Sequence, residues 1–164
     1  VLALLEAHPR PLERVSFEPG HVTASALVLT PDGSSVLLVL HRRLGRWLQP
    51  GGHLEATDPD IVAAARRELR EETGIDPDPA VPPLLVGVDV HEIPAARGEP
   101  AHLHHDLIFR FVAVRRPAAS STEAADAAWF AVDRLDDAGA DQALRRAVSR
   151  ARATLRRPGP PRGD

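Results

Sequence analysis

The sequence predicts an α+β fold in which a mixed β-sheet lies between helices. Three features point to it. Alternating, strand-like segments flank one central helical segment. That helical segment has an apolar stripe suited to packing on a sheet. A second amphipathic segment, residues 141–156, closes the ordered part of the chain.

Taken in order, residues 1–8 read as a short helix, followed by a loop carrying Pro9, Pro11 and Pro19. Residues 21–29 and 36–41 read as strands joined by a Pro31-Asp32-Gly33 turn. Segments Arg46–Leu48 and 52–55 flank the Gly51-Gly52 loop. The central helix is expected to start with Asp58 as N-cap, Pro59 at its first position and Asp60 at the positive end of the dipole. Ile61, Val62, Ala65 and Leu69 form its apolar stripe, and Gly74 its stop. A proline-rich connection over 76–83 leads to strands at Leu84–Ile93, 102–114 and 127–132. The last helix carries its apolar face on Leu144, Ala147, Val148, Ala151 and Leu155. Residues 1–156 read as one domain with residues 1–20 as an N-terminal extension, and 157–164 as a disordered tail. The extension reads either as dimer contacts or as a lid.

Composition narrows the function. The chain has 164 residues, 43% of them hydrophobic, as expected for a single globular core. A net charge of −3 supplies no global field for nucleic acid or anionic membrane. No apolar run reaches membrane-spanning length, and Val1 to Leu5, interrupted by Glu6, is too short for a signal peptide. Met is absent, so the start reads as truncated. The absence of Cys removes disulfides, thiolate zinc sites and cysteine nucleophiles. All basic residues apart from His are Arg, and Asn is missing, a bias that fits a GC-rich bacterial genome. A cytoplasmic enzyme is the expectation.

The most informative residues are Glu68, Glu71 and Glu72. On a helix, spacings of three and four residues bring them to one face. Like charges so placed repel by roughly 0.2–0.5 kcal/mol per pair. Near the C-terminal end, the helix dipole disfavours each anion by about 0.3–1 kcal/mol. A bound divalent cation reverses the sign of these terms, because clustered hard oxygen ligands attract Mg²⁺ or Mn²⁺. Arg67 lies beside Glu68 and one turn before Glu71, where it can orient a carboxylate. Gly51 and Gly52 leave the backbone open to close approach.

The run Gly52, five residues, Asp58, eight residues, then Arg67-Glu68-Leu69-Arg70-Glu71-Glu72-Thr73-Gly74-Ile75 resembles the Nudix box. Its second half matches that pattern at every specified position. Its first half departs in having Asp58 for the usual Glu and one extra residue before Arg67. The resemblance implies a Nudix fold and hydrolysis within the pyrophosphate of a nucleoside diphosphate linked to another group. It implies Glu68, Glu71, Glu72 and the Gly52 carbonyl as ligands of Mg²⁺ or Mn²⁺, with Arg67 as orienting residue. It offers two bases: a box glutamate, here Glu72, or a carboxylate before the last core strand, here Glu123. The rivals are a catalytically silent nucleotide sensor on the same fold and an enzyme acting on RNA 5′ ends.

Outside the box, strand alternation puts His102, His104, Asp106 and Arg110 on one face. These groups read either as substrate contacts or as a polar sheet face covered by a helix. His102 and His104, two residues apart, can also chelate zinc. Arg42, Arg43 and Arg46 precede Trp47. They read as phosphate contacts with a base-stacking indole, or as a solvated turn beside a core tryptophan. The arginines of the last helix read as its wet face. The expected partner is a small nucleotide or other diphosphate, with no membrane and little call for nucleic acid.

Overall fold

A computed structural model describes residues 1–96, 98–119 and 124–155. Glu123 and the segment from Arg157 onward lie outside the described residues. The strands are β1 (Gly20–Leu29), β2 (Ser35–His41), β3 (Arg46–Leu48), β4 (Gly51–His53), β5 (Leu84–Ile93), β6 (His102–Val112) and β7 (Ala124–Ala131). The helices are α1 (Leu2–Ala7), α2 (Ile61–Thr73) and α3 (Gln142–Leu155). Among the described residues no helix is long and apolar enough to cross a membrane.

The strands join in one mixed sheet of order β3-β2-β1-β6-β5, with β4 paired to β1 and β7 to β2. β1 is its axis and is buried along its whole length. It runs parallel to β6 and antiparallel to β2 and β4. β2 pairs with the end of β1, at Val28 and Leu29, and β4 with its earlier part, at Thr23 to Ser25. The sheet therefore splays beside β1, and the Gly51-Gly52 segment enters the gap.

The two faces of β1 are covered by different helices, as period-two alternation requires. Ala24, Ala26 and Val28 pack with Ala64, Ala65 and Leu69 of α2 and with Phe111 of β6. Leu27 and Leu29 pack with Ile108 and with Leu144, Ala147, Val148 and Ala151 of α3. Each large apolar side chain buried here contributes about 1.5–3 kcal/mol. The expected sheet between helices is what forms. α1 adds a smaller cluster, setting buried Leu4 against Val22 and Leu107.

The start of α2 differs from expectation. Asp60, not Asp58, is the N-cap: its Oδ1 accepts a 2.7 Å bond from the Ala63 amide, and the helix begins at Ile61. Pro59 therefore precedes the helix. Asp58 instead closes a loop by accepting from the Glu55 amide at 2.8 Å. Gly74 ends the helix as expected, at φ 67°, with its N–H on the Arg70 carbonyl at 2.8 Å.

Candidate active site

The site forms where α2 crosses β4. Glu68 and Glu72 are 8% and 6% exposed, which places two carboxylates in contact with the glycine segment. The Gly51 amide donates to Glu72 Oε2 at 2.9 Å. A side chain at Gly52 would put its Cβ 2.6 Å from Glu68 Oε1. Glu71, next to Glu72 in the chain, keeps 56% of its side chain exposed.

Arg67 ties the cluster together. Its Nε and Nη2 donate to the two carboxylate oxygens of Asp58, both at 3.1 Å. Its Nη1 donates to Glu68 at 3.1 Å and to Glu71 at 2.9 Å, and Nη2 also reaches the His53 carbonyl at 2.8 Å. Hydrogen bonding from Arg67 holds Asp58 below the usual carboxylate range, and the same bond raises the guanidinium further. Asp58 is thus a partner of Arg67, a role the loop geometry assigns and local sequence did not reveal.

Gly52 has ordinary backbone geometry, so its lack of a side chain matters for space rather than for conformation. Gly52→Ala is expected to leave the melting temperature nearly unchanged while pushing the Glu68 carboxylate aside. A displacement of this kind costs turnover about 100-fold. Gly51→Ala differs, since its Cβ would meet the Ala24 carbonyl of β1 at 2.8 Å and disturb the β1–β4 ladder.

The other expected contacts are distributed differently. Asp106 is 4% exposed, so it presents no surface to a substrate. It accepts from Ser25 Oγ at 2.8 Å, Thr23 Oγ1 at 3.2 Å and Gln49 Nε2 at 3.3 Å, anchoring the approach to the glycine segment. Burial raises its pKa. Asp106→Ala strands these three donors and should destabilise the fold by about 1–3 kcal/mol. Asp106→Asn, which removes the buried charge and keeps an acceptor, should cost clearly less; thermal denaturation of the pair checks this.

Trp47 packs its ring on Phe130, centroids 4.8 Å apart, at the margin of the α3-side core. Its indole is engaged by the protein rather than presented for base stacking. Arg42 and Arg43 are exposed after β2, and Arg42 reaches the Ala124 carbonyl at 3.4 Å. Arg46 pairs with Asp141 at 3.0 Å.

His102 and His104 join a histidine cluster instead of lying beside the carboxylates. His104 stands opposite His21 in the β1–β6 ladder, and His53 stands opposite Thr23 in the β1–β4 ladder. Burial, followed by nearby Arg14 and His21, lowers the His53 pKa to about 4. Burial and then His53 and His21 lower that of His104 to about 3. His21 is lowered too, mainly by burial. His21, Thr23 and Ser25 gave a local signal, since a fully buried strand with polar groups at every second position needs partners for them.

The family model for the NUDIX domain matches residues 19–151. The chain belongs to the Nudix family. The Nudix box is the α2–β4 crossing just described. The chain is 44% identical over 63 residues to phosphatase NudJ of Escherichia coli K12. That alignment takes in 38% of this chain and 40% of the NudJ sequence, so the chain spans well under half of the curated relative it matches. Among solved structures, it resembles the NUDIX domain of Shewanella oneidensis NrtR complexed with ADP ribose, with TM-score 0.67 and 19% identity over 94% of this chain and 97% of that one. It also resembles the E. coli dihydroneopterin triphosphate pyrophosphohydrolase, with TM-score 0.61 and 20% identity over 78% and 92% of the two chains. Both likenesses establish the Nudix fold.

Proposed function

We propose that this Nudix protein is a Mg²⁺- or Mn²⁺-dependent pyrophosphohydrolase acting on a nucleoside diphosphate linked to another group. The supporting observation is the buried pair Glu68 and Glu72, pressed against Gly51 and Gly52 while Arg67 holds Glu68 and Glu71. This donor set suits a hard divalent cation, since it offers carboxylate oxygens and a backbone carbonyl beside a position where a Cβ would collide with Glu68. Glu68, Glu71, Glu72 and the Gly52 carbonyl would hold it. When bound, the cation neutralises phosphate oxygens and stabilises charge on the leaving phosphate.

The protein supplies the rest. Arg67 fixes the carboxylates in orientation. Glu72 takes the proton of the attacking water, with Glu123 as the competing base. The water oxygen bonds to phosphorus as the bridging P–O bond breaks, releasing a nucleoside monophosphate and the other phosphorylated group. Arg42 and Arg43, exposed after β2, are the candidates for holding the phosphate oxygens that the cation does not reach. Asp106, Trp47 and the histidines are not assigned to substrate. The ADP ribose bound by the NrtR domain is a nucleoside diphosphate joined to a sugar, the chemical class proposed here.

The test is a panel of nucleoside triphosphates, nucleotide sugars, dinucleotides, ADP-ribose and 5′-triphosphate RNA with Mg²⁺ or Mn²⁺. Metal-dependent release of mononucleotide or phosphate is expected for at least one compound. Tight nucleotide binding with no turnover would replace the reading by a silent sensor. RNA as the only substrate cleaved would select the 5′-end activity.

A further inference from the structure

We propose that His21, His53 and His104 form a second metal site, for a divalent transition ion of the zinc class, on the face of β4 opposite the Nudix carboxylates. Gly52 pairs with Ala24, which faces α2, whereas His53 pairs with Thr23, which faces Asp106. Successive side chains on a strand point to opposite faces. One peptide therefore separates the glutamate site from the histidine cluster.

Among the described residues, these three histidines are the one group of potential ligands whose donor atoms all lie within 4.8 Å of one another. Their ring centroids are 4.8 to 5.1 Å apart, and each ring stands on a different strand of the same sheet. Ladder pairing thus positions them, not a flexible loop. Zinc–nitrogen bonds of about 2.0–2.1 Å put tetrahedral ligands roughly 3.3 Å apart, so the widest pair must close by about 1.5 Å. Side-chain rotation covers that distance.

An independent observation comes from hydrogen bonding. His21 is 1% exposed, and its Nδ1 lies 3.1 Å from the Ser16 carbonyl. A carbonyl only accepts, so Nδ1 carries the proton and Nε2 carries a lone pair. That Nε2 is buried and has no hydrogen-bond partner. A carbonyl fixing one ring nitrogen while the other keeps a free lone pair is the arrangement found behind metal-bound histidines. His102 repeats only the first half of this pattern, with Nδ1 2.8 Å from the Pro100 carbonyl, since its Nε2 is already paired with His104 Nε2 at 3.3 Å. It stands beside the three as a fourth imidazole, with Phe17 packed against it at 5.0 Å.

The ligand set selects the ion. Three imidazoles without a carboxylate suit Zn²⁺, Co²⁺ or Ni²⁺ and disfavour Mg²⁺, which requires oxygen.

The experiment treats the whole chain with chelator, then dialyses it against Zn²⁺ or Co²⁺. Bound metal is read by elemental analysis, and the Co²⁺ visible spectrum reports coordination. Wild type, Glu68→Gln/Glu72→Gln and His53→Gln/His104→Gln run in parallel, with circular dichroism as the folding check. We expect one Zn²⁺ per chain in wild type and in the glutamate variant, a tetrahedral Co²⁺ spectrum in both, and at least tenfold weaker binding in the histidine variant. Zinc lost in the glutamate variant, or retained undiminished in the histidine variant, would overturn the proposal. Histidine ring resonances of the wild-type chain give a test independent of any variant's folding: Zn²⁺ should shift those of His21, His53 and His104, and no shift would refute the site. Mg²⁺-dependent hydrolysis, measured separately, tests the pyrophosphohydrolase reading without bearing on this one.

Discussion

Glu72→Gln is expected to lower metal-dependent turnover by about 10²–10⁴-fold while the protein stays folded. The substitution keeps the side chain's shape, and the amide oxygen of Gln can still accept from the Gly51 amide that Glu72 Oε2 now receives at 2.9 Å. What disappears is the negative charge and the capacity to take a proton. Structure should therefore survive and chemistry should not. Steady-state kinetics with the best panel substrate, beside a melting curve, checks both halves. Activity within a few-fold of wild type would remove Glu72 from the mechanism. Glu123→Gln serves as the comparison, because a larger loss there would transfer the base role to it.

Arg67→Ala should destabilise the fold by about 3 kcal/mol. Arg67 is only 19% exposed in its side chain, and its partners Asp58 and Glu68 are 7% and 11% exposed. Removing the guanidinium takes its hydrogen bonds and its charge from two poorly solvated carboxylates and from the His53 carbonyl. The bond to Glu71 adds little, because that carboxylate is mostly in water. Arg67→Lys keeps the charge but loses the planar fork, so its stability should fall between the two. Denaturant unfolding of the three proteins makes the comparison.

The same contact carries a pH signature. Arg67 depresses the pKa of Asp58 in the folded state relative to its ordinary 3.8. The stabilisation is thus complete above that value and is lost as pH falls through the depressed one. In Arg67→Ala that part of the acid-side decline should flatten. An unchanged slope below pH 4 would mean that Asp58 gains nothing from Arg67.

How much was legible in the sequence follows from the range of each interaction. Apolar periodicity exposed both long helices and the strands, because 3.6- and 2-residue repeats are written into neighbouring residues. The Glu68, Glu71 and Glu72 grouping was visible for the same reason, as was the Gly74 stop. The helix start was misplaced by two residues. Both Asp58 and Asp60 are competent caps, and only the fold decides which aspartate faces Ala63 and which faces Arg67.

Long-range pairing settled what local patterns left open. The fates of Asp106 and Trp47 depended on partners supplied by β1, Gln49 and Phe130, none of them near in sequence. The histidines depended on register. His102 and His104 announced themselves as an alternating pair, but His21 and His53 looked isolated until the parallel β1–β6 and antiparallel β1–β4 ladders brought them beside His104. By itself, the sequence determined the family and the carboxylate helix, because those rest on contacts within a few turns. Only the tertiary structure decided which polar residues are buried as anchors and which meet across strands. Burial and register are properties of the assembled sheet, and no short window of the chain contains them.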